Sequence, residues 1–331
     1  MVLVRICITS LCTTTVPSPS LPTHSPVPPE VPLEVQPVLV HQSVFVVKFL
    51  EDAFVVVQAL RNPGPQGELS SAQTFILDKP DFLLPLREEA TSRFIMRQHL
   101  HHDFALSRAG FFSLQVFRFI HFNSRAFEQC PDDYRQVEFS SAQEYDEYLA
   151  NLRNHFPHKT DSFFCDPRAF GQCIKERTAS RFTDYWIVSQ SADYKWPPSR
   201  VFSEAWKEMK TFKKNSNKSG NSVWKGMGEL SLYMLIADLH YADIVDAPTP
   251  QDVACAVSAI RKGGFFGLEK LGYVTERASK TAIEKAFVQF YEDITERLSE
   301  EQRARFKWDS IVAEHTLCKF SRAHRAGHYQ L

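Results

Sequence analysis

A chain of 331 residues, 44% hydrophobic and 23% charged, can bury a large core without disulfides, which excludes wholesale disorder. Its net charge of −1 supplies no global field for nucleic acid or anionic lipid, so any such role rests on local asymmetry. With 27 phenylalanines against 12 glycines, the composition argues against a fold built from loops and phosphate-cradling turns.

Seven cysteines, at 7, 12, 130, 165, 173, 255 and 318, are odd in number, widely spaced and without a Cys-x-x-Cys pair. That usage predicts reduced thiols in an intracellular protein, cytoplasmic or nuclear. No apolar run approaches the roughly 20 residues of a membrane span. The longest, Val38–Val47, contains His41 and Gln42 and runs into Lys48 and Glu51. Met1–Val16 is interrupted by threonines and has no convincing cleavage site, so secretion and membrane contact are not expected.

Residues 1–37 carry eight prolines between Pro17 and Pro37, a density that denies the backbone both helix and central strand. This stretch is expected to be a disordered Pro/Ser/Thr-rich tail. Residues 38–135 read as a small mixed α/β segment. Within it Val44–Val57 suits either a strand or a buried helix, and Asn62-Pro63-Gly64-Pro65 breaks the chain. Leu86–Ser107 is expected to be one helix, and Phe111–Phe122, aromatic and partly alternating, a strand.

From 136 to 326 the signals predict a compact multi-helix domain, with 327–331 as a short tail, so the fold class is mainly α. Ser141-Ala-Gln-Glu144 is a capping box, followed by Tyr145, Tyr148, Leu149 and Leu152 on one face. Ser203 opens a helix whose Ala205, Trp206, Met209 and Phe212 share a face. Glu229–Tyr241 is apolar nearly all round and is expected to be the central buried helix. Thr249-Pro250-Gln251-Asp252 starts another helix, and Gly263-Gly264 is expected to end it in a loop. Ala282–Leu298 is amphipathic, and a last helix covers Asp309–Phe320.

Residues 175–225 hold eleven Lys or Arg against five Asp or Glu, and four of the five tryptophans. Lys207, Lys210 and Lys214 form one helical stripe, with Lys213, Lys218 and Lys225 nearby. Trp196 and Trp224 are candidate stacking rings. Cations for phosphates and flat rings for bases are what a nucleic-acid surface needs. A solvated lysine face over core tryptophans accounts for the same residues, and Trp206 has core spacing.

Trp224-Lys225-Gly226-Met227-Gly228, leading into the buried helix, resembles the hairpin of a helix-hairpin-helix element. That resemblance implies backbone N–H groups offered to a DNA phosphate at a helix N-terminus. It covers about twenty residues. It departs from the pattern at Gly220 and Asn221, where the first helix belongs, and at Glu229. A plain glycine turn fits equally well.

Two donor clusters have metal-ligand chemistry: His155, His158, Cys165 and Cys173, with Asp161 between them, and His99, His102 and Asp103 if that helix is continuous. Neither has the spacing of a standard zinc site, and no metal is assigned. Asp238, His240, Asp243 and Asp246 place carboxylates beside a histidine, the makings of a general base. His315 and Cys318 share a helical face without an orienting acid. With no P-loop, dinucleotide fingerprint, nucleophile elbow or His-Glu-x-x-His, no catalytic residue and no cofactor is assigned. The expected function is a non-enzymatic binding module whose basic, aromatic surface meets nucleic acid or an acidic protein partner. The alternatives are an enzyme using Asp238, His240 and Asp243, and a structural scaffold.

Overall fold

The computed structural model describes residues 39–62, 67–164, 181–218 and 228–330, and every regular element among them is a helix. The expected tail over 1–37 lies outside these residues. The longer helices are α1 (Leu39–Arg61), α2 (Ser71–Asp78), α3 (Thr91–His99), α4 (Arg108–Val116), α5 (Ala142–His155) and α6 (Phe182–Gln190). They continue with α7 (Phe202–Lys218), α8 (Glu229–Tyr241), α9 (Pro250–Ile260), α10 (Gly263–Lys270), α11 (Lys280–Arg297), α12 (Glu300–Phe306) and α13 (Ser310–Arg325). Short helical turns fill several connections, among them Pro80–Leu83, Arg87–Glu89, His102–Ala105 and Phe117–His121.

Side-chain caps start many of these helices. Ser70, Ser141, Thr249, Ser279, Ser299 and Asp309 each accept a backbone N–H from the first turn. Each such cap is worth about 1 kcal/mol. The tetrapeptide Ser-Ser-Ala-Gln, present at 70 and 140, serves as a cap both times but one residue out of register: Ser70 caps α2 and Ser141 caps α5.

The mixed α/β segment is not what forms over 38–135. No strand occurs among its described residues. In α1 the buried Val46, Phe49, Leu50, Ala53 and Val57 recur every three or four residues, which settles the ambiguous run as a helix. Phe49 meets Phe320 and Tyr329 edge-on, at 5.9 and 5.3 Å between ring centroids, and the Tyr329 hydroxyl donates to Asp52 at 2.8 Å. The first and last described helices thus share one core, and residues 37–331 form one compact unit.

Phe111–Phe122, expected as a strand, is α4 followed by a π-helical turn over Phe117–His121. Its alternation misleads because every face is buried. The polar residues find internal partners: Ser113 with Phe139, Gln115 with the Tyr185 carbonyl, and His121 with Tyr145. Close packing also requires Gly110, where a Cβ would stand 2.0 Å from the Phe104 carbonyl oxygen.

Leu86–Ser107 is likewise not one helix. Leu100 and His101 are extended, at ψ 114° and 138°, and separate α3 from the turn at His102–Ala105. Gly263 and Gly264 begin α10, where a terminating loop was expected; α9 ends instead at Arg261, whose φ is +46°. The glycines let α10 lie against α13. A Cβ at Gly263 would meet Cys318 Sγ at 2.1 Å, and one at Gly267 would meet the Leu317 carbonyl oxygen at 2.5 Å.

Candidate nucleic-acid interface and the neighbouring cavity

Helix α7 divides into two faces. Phe202, Ala205, Trp206 and Met209 are buried, whereas Lys207 and Lys214 are exposed. An open groove of about 700 Å³ runs beside this helix, lined by Trp206, Lys207, Lys210, Lys213 and Lys214, with Glu229 and Leu232 of α8 across it. Lys210 is not a free cation: its Nζ lies 2.9 Å from Glu229 and 4.6 Å from the Trp206 ring centroid. No ion pair to Lys207 or Lys214 is found among the described residues. Of the other expected contributors, the Lys218 side chain, Trp224 and Lys225 lie outside the described residues, as does the glycine turn up to Met227. Trp196 is half-buried with one face stacked on Phe111, 4.0 Å away.

Asp238 stands in the last turn of α8, fully buried, inside a cage of arginines. Arg118 donates to both carboxylate oxygens through Nε and Nη2, and Arg87 Nη2 donates to Oδ1 at 2.6 Å. Arg93 Nη1 is 3.5 Å from the same oxygen, while Arg93 Nε donates to Glu88 at 2.8 Å. Burial alone raises a carboxyl, but Arg118, Arg87 and Arg93 outweigh it and hold Asp238 at about 2. Burial pushes Arg118 down to about 10, which leaves it charged at neutral pH. Aromatic faces complete the cage: the Arg118 guanidinium lies 3.9 Å over Phe122 and that of Arg93 5.3 Å over Tyr241. Three buried guanidiniums face two buried carboxylates, so the cage carries an excess of positive charge.

The excess borders a cavity of about 860 Å³ enclosed by α8, α9, α10 and α13 and by the chain from Pro80 to Arg87. Arg87 forms part of its floor. Arg87 Nη1 faces His315 Nε2 at 3.5 Å, and because a guanidinium only donates, that imidazole nitrogen accepts and Nδ1 carries the proton. Burial and the nearby Arg87 keep His315 neutral, its value well below the ordinary one. Arg87 Nε, His315 Nδ1 and the Tyr233 hydroxyl are buried without hydrogen-bond partners among the described residues. Glu314, also on the wall, is pushed up to about 7 by burial, against the pull of Arg87 and Arg322. Glu229 lines both the cavity and the lysine groove.

The acidic residues around α8 do not converge on one site. Asp238 is sealed in its cage, and His240 Nδ1 donates to the Val245 carbonyl at 3.3 Å. Asp243 is an exposed turn residue at φ +59°, and Asp246 pairs with Arg200 at 2.7 Å. His99 and His102 sit on separate helices, and the His102 ring donates to the Ala242 carbonyl. His155 packs on Tyr134 and Phe156, while Cys165 and Cys173 lie outside the described residues. Among the described residues no group of three or more His, Cys, Asp or Glu side chains is placed to hold a metal ion, and no helix is long and apolar enough to cross a membrane.

The arginine cage escapes motif reading because its members are far apart: Arg87 and Arg118 stand 151 and 120 residues from Asp238. One signal was available. Arg118 is a lone charge in an aromatic run and Asp238 the one charge in α8 after its first residue, and opposite charges so placed have to find each other on folding. Compared with protein-family models, curated proteins and solved structures, the chain shows no match.

Proposed function

We propose that this protein is a non-enzymatic binding module whose α7 lysine face holds the phosphates of nucleic acid. The observation that carries the reading is the groove beside α7, an open channel bordered by the exposed Lys207 and Lys214 and by Lys210, which pairs with Glu229 across it. Exposed lysines beside a shallow groove can neutralise phosphates, and each phosphate neutralised releases counterions condensed on the nucleic acid. Contacts made by lysines to phosphates carry no sequence information, so this binding tolerates sequence and depends on salt.

The test is fluorescence anisotropy of the full chain with labelled single-stranded and duplex oligonucleotides at two salt concentrations. The expected result is binding that weakens steeply with salt, and a further loss of about tenfold or more in the Lys207→Glu/Lys214→Glu variant. Binding that ignores salt, or that the double variant leaves intact, removes the α7 face from the function.

A further inference from the structure

The cavity behind Arg87 is a second site, distinct in chemistry from the lysine groove. Its walls are apolar and partly aromatic, with Phe82, Leu84, Phe122, Val257, Ile260 and Phe265 contributing. Its polar elements are mostly donors, set against two carboxylates: Glu229, which pairs with Lys210, and Glu314, which accepts from the Gly264 N–H. On the floor, Arg87 and Tyr233 are 3% and 1% exposed, and Arg87 Nε, the Tyr233 hydroxyl and His315 Nδ1 have no hydrogen-bond partner among the described residues. At the rim stand Lys262, Arg322 and Arg325.

Two helix starts open into the same space. Gly228, Glu229, Leu230 and Ser231 begin α8, and Gly263 and Gly264 begin α10; neither helix has a side-chain cap. The first N–H groups of α8 have no intrahelical acceptor and face a partial positive charge toward the cavity. In α10 one such N–H, that of Gly264, already meets the Glu314 carboxylate. An unpaired buried donor costs free energy comparable to a lost hydrogen bond, and three of them around one cavity describe a binding site waiting for an acceptor.

We propose that this cavity binds a small organic phosphate monoester, its phosphate held by Arg87, His315, Tyr233 and the rim cations and its flat, apolar body packed against Phe82, Phe122 and Phe265. A phosphate suits the site better than a carboxylate because it accepts from several directions at once, as this spread of donors requires. The cavity volume falls within the range of ligand pockets, roughly 300 to 1,000 Å³.

Titration calorimetry and thermal-shift measurements on the full chain test the assignment, with phenyl phosphate and adenosine 5′-monophosphate as probes, and phenol, adenosine and inorganic phosphate as controls. Both monoesters are expected to bind and to raise the melting temperature, while phenol and adenosine bind at least about tenfold more weakly. Lys262→Glu, at an exposed position, and Tyr233→Phe, which removes a hydroxyl and keeps the ring, are each expected to weaken monoester binding. Lys207→Glu/Lys214→Glu is expected to leave it unchanged, which separates this site from the nucleic-acid face. The proposal is overturned if neither monoester binds up to about 10 mM. Equal affinity for adenosine and its monophosphate, or indifference to both cavity variants, overturns it as well. Inorganic phosphate binding as tightly as phenyl phosphate would leave the apolar walls without a role and would also overturn it.

Discussion

The arginine cage and the α7 lysine face are both concentrations of positive charge, yet they are built in opposite ways. In the cage, planar guanidiniums are taken out of water, locked to Asp238 and covered by Phe122 and Tyr241. On α7, Lys207 and Lys214 keep flexible stems and hydrated heads over a buried apolar stripe. Arginine suits the first setting because its fork matches a carboxylate, and lysine the second because its charge needs no fixed geometry. The lesson is that charge density alone does not mark a functional surface. What matters is whether the charge is already spoken for inside the fold.

The sharpest way to break this comparison is to remove the anion that holds the cage. Asp238→Asn leaves three buried guanidiniums with Glu88 as their one remaining buried carboxylate, and a loss of about 3–5 kcal/mol in stability is expected from urea unfolding. A loss below about 1 kcal/mol would mean that the cage is hydrated and open, and the contrast with α7 would collapse. The pH dependence has a definite sign. The folded carboxyl sits at about 2 against an ordinary 3.8, so its contribution is present above the ordinary value and fades as the pH falls through about 2.

How much of this was legible in the sequence follows from the reach of each signal. Caps and amphipathic faces are local, and Ser141, Thr249 and the stripe on Ala282–Leu298 name their helices correctly. Phe111–Phe122 fails because burial on every side erases the period that separates helix from strand. Gly263 fails for a different reason: glycine reads as a terminator, and only the nearness of α13 shows that it serves close packing. Of the residues the two proposals rest on, the α7 lysines stand out in the sequence because they are neighbours in one helix. Arg87, Glu314 and His315 do not, because the cavity is assembled from segments more than 200 residues apart.

Glu314 lies between the two extremes, buried like Asp238 yet without an arginine locked to its carboxylate. Burial raises its folded value from 4.5 to about 7, so the folded state holds a proton that the unfolded chain gives up. Stability from this group therefore falls as the pH rises from about 4.5 to about 7, by on the order of 3 kcal/mol at most. His121 and His315, buried and held neutral, act in the opposite sense below the ordinary imidazole value of 6.5. The readout is consequently the difference between wild type and Glu314→Gln, whose amide oxygen still accepts from Gly264. The variant should gain on wild type steadily across that window, and a flat difference would show that the carboxyl is solvated.

If the α7 face contributes only to binding, Lys207→Glu/Lys214→Glu should change stability by no more than about 0.5 kcal/mol, because exposed charges away from any partner contribute little to folding. Denaturant midpoints at low and high salt decide it. Both lysines project from the face opposite Trp206 and Met209, so reversing them disturbs no packing and meets no fixed charge. A loss near that of Asp238→Asn would place the lysines in the structural class with the arginines, and the groove would then have no free cation left to offer a phosphate.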